Sequence, residues 1–590
     1  MSKGNNIFAR LVAIFVTILV TGLIGMGINY LALPAMTFHS SGFWWFWLVI
    51  GIIAALVYFA ANGIANNITC EEGGYLPGFI ILGATAIWLV VFIVTAIAGS
   101  EMVNAKQYSG LIEVETGNFA EDIEQIDTED LVVVDVKTAQ QLGNRTIANI
   151  DNSAWYEVDS EYNLVVIDGK EYRISPVNYG GLWKFLKADE TGIPGYVLVD
   201  AKDQDEDARY VELEENIKYS PSACFEYDLT RHLRGLYPSY IFGKSFFEVD
   251  DTGCPFWITS VKIPQIGMRG GLVTNSVLVT NAVTGDTEEY ELDELPEWVD
   301  HVDSVNQLMT LLDWHYSYWD GWWNSVTSKT KVYKTSYYYK DQEQSDSQEE
   351  GKVDLEANKH TPFEGYNSIV TEDGKVMIYT GLTPANNAES NVGFLLIDPR
   401  AQKFTYYEAT GAEEASAQKA AEGLVSDLRY SASFPTVVNV DGVETYFMVL
   451  KDGAGLIQRY AFANVENYAK CVQAETIEKA LSLYKIEIGL TSSDEVVDTG
   501  KEDDDQEPLP EVREFYYGVI SAVEEAQIDG YTYYYFTFEG RETEIFISSI
   551  ENSNKQPMRL KVGTAVNVEY YGSEKEDGIN IVVNISFTEH

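Results

Sequence analysis

Apolar positions form three unbroken runs at the start of the chain and short clusters or alternations everywhere after it. The runs are about Leu11 to Leu33, ended by Pro34, then Phe43 to Ala61, then Leu76 to Ala98. Each is near the roughly 20 residues a helix needs to cross hydrocarbon at about 1.5 Å per residue. The first exceeds the roughly 7–15 apolar residues of a secretory signal, and two more spans follow it. The connections PAMTFHSS and NGIANNITCEEGGY are short, so the helices are expected to be antiparallel neighbours. Trp44, Trp45 and Trp47 open the second span, where interfacial aromatics belong. Gly22, Gly25 and Gly27 permit close helix approach but lack GxxxG spacing. No ionisable side chain lies within a span, which argues against an ion-coupled transporter.

Lys3 and Arg10 flank the first span, and neither short loop carries Lys or Arg. Positive-inside logic puts the N-terminus in the cytoplasm and residue 101 onward outside, although Lys106 works against that bias. The expectation is a multi-pass protein of the cell membrane with a large extracytoplasmic region.

Past residue 100 the period changes. Four segments read as strand, polar turn, strand: Tyr196 to Leu213, Val277 to Tyr290, Phe394 to Tyr407 and Tyr446 to Tyr460. Apolar residues stand on both sides of turn-forming Asp, Gly, Asn and Pro, which is the pattern of a β-hairpin. Helical spacing follows three of them, in Ser304 to Trp314, Glu413 to Leu428 and Ala474 to Tyr484. Hairpins with a helix laid on one face make α+β modules. The tail holds five strand-like runs, FYYGVISAV, YTYYYFTF, TEIFISSI, AVNVEYYG and INIVVNISF, and predicts a small barrel, OB-like or SH3-like.

The predicted organisation is therefore a three-helix membrane head over 1–100 and α+β soluble modules over 101–340 and 361–493. A small β-barrel over 514–590 completes it. Polar stretches at 341–360 and 494–513 read as solvated linkers.

Charge sharpens this division. The formal net charge is −50, yet residues 1–100 hold two basic and two acidic side chains, so the excess lies in 101–590. Nucleic-acid affinity rests on Lys and Arg neutralising phosphates, and so strongly anionic a body excludes it. The same charge repels polyanionic polymers and favours a cationic or peptide partner.

Candidate chemistry is sparse. There is no C-x-x-C, H-E-x-x-H, G-x-S-x-G, Walker loop or dinucleotide fingerprint, so no cofactor is expected and the chain reads as more binding protein than enzyme. Cys224 and Cys254 are either a pair or separate thiols. Asp203, Asp205, Asp207 and Glu214 take the first, third, fifth and twelfth places of an EF-hand-like loop. Ala208 replaces the turn glycine and the flanks read as strands, which favours a solvated hairpin turn. Trp319, Trp322 and Trp323 beside Asp320 and Asn324 suit stacking on a sugar ring, and equally suit packing the preceding helix on a sheet.

The phrase VLVTNAVTGDTEEY resembles the end of a PepSY-type module, with Asn281, Thr284 and Gly285 on its D/N-x-x-T-G pattern. In the third hairpin Ala401 and Gln402 stand where Thr-Gly belongs, and in the fourth only Gly453 and Gly455 remain. The whole organisation resembles uncharacterised multi-pass membrane-anchored proteins of Gram-positive bacteria. That likeness carries no function, but the PepSY resemblance implies an extracytoplasmic binding or regulatory module. The resulting expectation is a membrane-anchored binding or regulatory protein of the cell envelope, whose partner is an envelope protein or peptide. The alternatives are the outer subunit of a membrane complex and, behind it, a wall or peptide hydrolase with a dispersed site.

Overall fold

The computed structural model describes residues 3–69, 73–146, 153–188, 191–336, 365–371, 373–386, 390–491, 513–528, 531–549, 560–571 and 579–587. Both expected linkers lie outside the described residues, except Arg513, and so do Cys70, His360 and His590. The chain forms two compact units, Met1–Glu495 and Val496–His590.

The first unit begins with α1 (Lys3–Ala32), α2 (Ser41–Thr69) and α3 (Leu76–Ala98). All three are long and apolar enough to cross a membrane. Their large side chains point outward, as lipid-facing helices require, and polar groups turn inward. Thr17 donates back to the Ala13 carbonyl at 2.8 Å, which satisfies its hydroxyl within the helix. At the far end of the bundle from the body, the Tyr58 hydroxyl and the Asn62 and Asn66 amides donate to the Gly73 and Gly74 carbonyls. At the near end Trp44 lies 4.3 Å from Trp88, in an aromatic belt with Phe38, Phe43 and Phe92.

The body continues with α4 (Glu101–Ser109), a short strand β1 (Val114–Thr116), α5 (Phe119–Asp122) and α6 (Val136–Thr146). The first sheet holds β2 (Tyr156–Val158), β3 (Asn163–Ile167), β4 (Lys170–Tyr179), β5 (Ile193–Asp200) and β6 (Arg209–Ile217). β2 and β3 both pair with β4. α7 (Leu182–Ala188) joins β4 to β5, and α8 (Leu229–Leu236) leads into the second sheet. That sheet is a meander of β7 (Ile241–Val249), β8 (Pro255–Ile266), β9 (Gly270–Asn281) and β10 (Thr287–Glu291).

The Ser304 hydroxyl caps α9 (Val305–Tyr318), accepting from the Gln307 amide at 3.2 Å. Then come β11 (Tyr333–Thr335), β12 (Asn367–Val370), β13 (Val376–Pro384), β14 (Ser390–Asp398) and β15 (Lys403–Ala412). β1 closes this third sheet, running parallel to β15. α10 (Glu414–Leu424) precedes the fourth sheet, β16 (Ser431–Ala432), β17 (Thr436–Val440), β18 (Val443–Lys451), β19 (Ile457–Asn464) and β20 (Cys471–Ala474), and α11 (Ile477–Glu487) follows it.

All four expected hairpins are present, as β5–β6, β9–β10, β14–β15 and β18–β19. In the second, the Asn281 side chain accepts from the Val283 and Thr284 amides, both at 2.9 Å, and Gly285 adopts φ +81°. A Cβ at Gly285 would lie 2.5 Å from the Tyr219 ring, so the turn needs glycine for space and conformation.

The cores do not follow the order of the chain. The first sheet shares one core with the fourth, where Val165, Val177 and Val197 meet Val438, Phe447 and Phe462. α9 covers the third sheet with Leu308, Leu311 and Leu312, while α10 packs between the third and fourth. Buried ion pairs cross these joints. Lys451 on β18 pairs with Asp135 just before α6. Lys262 on β8 pairs with Asp303 and donates to Thr274 at 2.7 Å, and Gln402 in the β14–β15 turn also donates to Asp303, at 3.0 Å.

The second unit is a closed barrel of β21 (Arg513–Ile528), β22 (Tyr531–Phe538), β23 (Arg541–Ser549), β24 (Ala565–Tyr571) and β25 (Ile579–Phe587). Closure joins β21 to β24, and β23 to β25 in parallel. Phe536, Phe538 and Phe546 fill its centre.

Candidate functional site

A cleft of about 1100 Å³ lies in the first unit. Four separated parts of the chain wall it: the segment 122–132, the β3–β4 hairpin with Lys202, the β12–β13 hairpin, and β17. Two of these walls are strand edges. β12 pairs with β13 along its length, and β17 pairs with β18. On its other side β17 meets the 122–132 segment at one point among the described residues. There the Ile126 backbone amide donates to the Asn439 carbonyl at 2.9 Å, and the Asn439 side-chain amide donates to the Ile123 carbonyl at 2.8 Å. Asn367 at the start of β12 donates to the Thr436 hydroxyl at the start of β17, at 2.7 Å, so the two edges begin side by side.

The floor is apolar, with Val166, Ile369, Leu396 and Val438 among its residues. The rim is acidic: Asp122, Glu124, Asp127, Asp130, Glu171 and Asp373 line the cleft, and Lys202 is its one cation among the lining residues. Lys202 is already engaged, 2.9 Å from Asp130 and 3.1 Å from Glu171. Partial burial opposes its charge, but the two carboxylates outweigh that and raise its pKa. Asp373 is paired with Lys375 outside the cleft. Six acids against one lysine among the lining residues leave a net negative field that draws cations and small basic groups.

Two acids stand behind the cleft, Asp135 mostly buried and Asp300 buried. Asp135, next to the 122–132 segment, is drawn upward by burial, but the charge and hydrogen bond of Lys451 prevail and hold it below the ordinary carboxylate range. Asp300 accepts from the amide of Val166, a floor residue, at 3.0 Å. Burial and then the charge of Glu248 push Asp300 well above the ordinary range. Glu248 is itself held by the amides of Asp300 and His301, at 2.9 and 2.8 Å.

A third buried acid, Glu414, accepts from Ser336 at 3.0 Å and from Tyr379 at 2.9 Å, and burial raises its pKa. A Cβ at Gly381 would lie 2.0 Å from its Oε1. With that little room it ties α10 to the third sheet and has no space for a ligand.

The residues singled out in the sequence lie elsewhere. Asp203, Asp205 and Asp207 sit exposed on the β5–β6 turn, where Asp203 and Asp205 are used in local backbone bonds, and Glu214 is exposed along β6. Among the described residues no three His, Cys, Asp or Glu side chains gather as a metal site. Trp322 is half-buried with its ring 4.9 Å from Trp323, whereas Trp319 and Trp323 are exposed. Asn324, their expected polar neighbour, is buried and donates to the Thr330 carbonyl at 3.0 Å. Cys224, Cys254 and Cys471 are free thiols. Sequence reasoning missed the cleft, whose walls come from segments roughly 40 to 200 residues apart, each ordinary by itself. The one legible signal was the acidic balance of the body. Neither a protein-family model nor a curated protein matches the chain.

Proposed function

We propose that this is a membrane-anchored, extracytoplasmic binding protein whose cleft takes an extended cationic segment of a partner peptide or protein. The observation that carries this reading is a cleft with an acidic rim, an apolar floor and two strand edges that begin side by side. A strand added to such an edge gains main-chain hydrogen bonds, alternate apolar side chains face the floor, and Lys or Arg between them meets the carboxylates. The turn at Asn281, Thr284 and Gly285 supports reading the hairpin–helix units as PepSY-like. Five strands closing on themselves support an OB-like or SH3-like barrel. The lysine and arginine near the start of the chain support an outer location for the body.

The test is a titration of the full chain in nanodiscs with peptides alternating Val with Lys, Ser or Glu. Preferential binding of the Lys peptide, weakened by salt and by Glu124→Gln with Asp127→Asn, is the expected result. Equal binding of all three would overturn it. Trypsin added to intact cells should cleave the body, and protection until lysis would overturn the outer location.

A second reading, as subunit of a membrane complex, is favoured by one observation. A groove of about 430 Å³ on the helix bundle is lined by Thr17, Thr21, Gly22 and Gly25, and the buried Thr21 hydroxyl has no hydrogen-bond partner among the described residues. Monomer mass after gentle extraction would count against it.

A further inference from the structure

We infer that the body lies down on the bilayer, inserting two aromatic patches into the lipid interface on either side of the three-helix head. This is independent of what the cleft binds.

The starting point is how the body meets the head. Arg231 on α8 donates to the Tyr30 carbonyl at 2.6 Å and covers the Tyr30 ring at 3.8 Å. Arg234 donates to the Leu33 carbonyl at 3.2 Å, and the Met36 amide donates to the Pro238 carbonyl at 2.7 Å. Arg269 in the β8–β9 turn donates to the Phe92 carbonyl at 2.7 Å. The body is thus fixed at the level where α1 and α3 leave the hydrocarbon, and whatever flanks these contacts faces lipid headgroups.

The first patch flanks α1. The turn Phe225–Tyr227 runs straight into α8, which carries Arg231, and Phe225 is exposed with φ +57°. A phenylalanine seldom takes that backbone conformation, and here it leaves a large apolar ring in the open. Phe225 lies 6.2 Å from Phe185 of α7. Phe185 is buried, while its neighbours Leu182, Trp183 and Leu186 project outward, Trp183 78% exposed. The helix reads LWKFLKA, with Lys184 and Lys187 and no acidic residue.

The second patch flanks α3. Glu101, three residues past α3, accepts from Trp314 Nε1 at 3.0 Å and from the Tyr318 hydroxyl. This anchors the end of α9 beside Met102 and Val103, both exposed. Trp319, Trp323 and Val326 follow and are exposed, Trp323 at 68%. Beyond them NSVTSKTK carries Lys329 and Lys331, again with no acidic residue.

Eight tryptophans lie in the body, and the three exposed ones, Trp183, Trp319 and Trp323, all belong to these two patches. Trp with Lys at a membrane boundary is the interfacial pairing, an amphipathic ring at headgroup depth beside a cation that reaches phosphate. Acids are present too, with Glu226 exposed beside Phe225 and Asp320 exposed beside Trp319, so the match to the lipid interface rests on the exposed rings, and Lys184, Lys187, Lys329 and Lys331 are the groups that reach phosphate. Continuity with the membrane-spanning helices places that interface against both patches.

The experiment uses the full chain in nanodiscs containing phosphatidylglycerol and a phospholipid with a diazirine in its acyl chain, with peptide mapping after irradiation. The expected result is lipid adducts on 182–188 and 319–326 in addition to α1–α3. Trp183→Asp should abolish the first and Trp323→Asp deplete the second, with α3 labelling and thermal unfolding unchanged. Both positions are exposed, so the variants should fold. Adducts confined to α1–α3 would overturn the inference. So would cross-links from these patches to a protein, in place of lipid, in native membranes.

Discussion

In the cleft, six carboxylates surround a single lysine that two of them already neutralise. On the surface that meets the head, Arg231, Arg234 and Arg269 make no ion pair among the described residues; carbonyls near helix ends and aromatic rings hold them instead. Burial without a carboxylate pushes Arg234 down to about 10 and also lowers Arg269. A chain with 90 acidic and 40 basic residues had carboxylates to spare for these arginines. That they lack them indicates that charge is sorted by surroundings. Carboxylates face water and whatever cation arrives, while Arg231 and Arg234 sit at the C-terminal end of α1, where the helix dipole is negative and a carboxylate would be repelled, and Arg269 lies over the Phe92 ring of α3.

The contrast can be broken from either side. The largest effect is expected behind the cleft. Lys451→Ala leaves Asp135 buried without its cation and should cost about 3–5 kcal/mol, read as a fall in the unfolding temperature of the full chain in nanodiscs. Next is the head–body joint. Arg234→Ala removes hydrogen bonds to the carbonyls of Leu33, Tyr237, Pro238 and Tyr240, of which only the one to Tyr240 is short, and should cost roughly 1.5–3 kcal/mol in all. Faster proteolysis between α1 and α2 would report it. Unchanged proteolysis would mean that these arginines are not what fixes the body to the head.

A smaller, pH-dependent effect is expected at Asp300. A carboxyl raised in the folded state contributes stability that is fully present below the unfolded value, near 4, and lost as pH rises through the folded one. Asp300→Asn keeps an acceptor for the Val166 amide without the charge. Its unfolding temperature should exceed the wild-type value more at about pH 8 than at about pH 5. A gap independent of pH would show that Asp300 does not titrate as described. The smallest effect belongs to the exposed rim. Each of Glu124→Gln and Asp127→Asn should weaken binding of a Lys-bearing peptide by about 0.2–1 kcal/mol and reduce its salt dependence, with stability untouched.

Much of the local architecture was legible. The three spans, the four hairpins and the helices after three of them follow from period and turn chemistry, because those signals act over a few residues. Ser304 and Asn281 announced a cap and a turn by their side chains alone. The aromatic run after α9 was legible as a cluster but not as a surface. Trp314 is tied to Glu101 and Trp322 is half-buried, while Trp319 and Trp323 point out, and spacing cannot separate these fates. The acidic Asp203–Glu214 run drew attention through EF-hand spacing, yet strands on both sides spread its carboxylates along a hairpin instead of folding them inward.

By itself the sequence determined that three helices are greasy enough to span lipid, that the rest is an anionic body rich in hairpins, and that a five-stranded barrel ends it. Hydrophobic period, turn residues and charge balance are properties of short stretches and survive without knowledge of the fold. The tertiary structure alone decided that the first sheet packs on the fourth, that Asp135 finds Lys451, and that segments near residues 125, 168, 370 and 437 surround one cleft. Those outcomes depend on which apolar faces bury each other across hundreds of residues, and no local pattern encodes that choice.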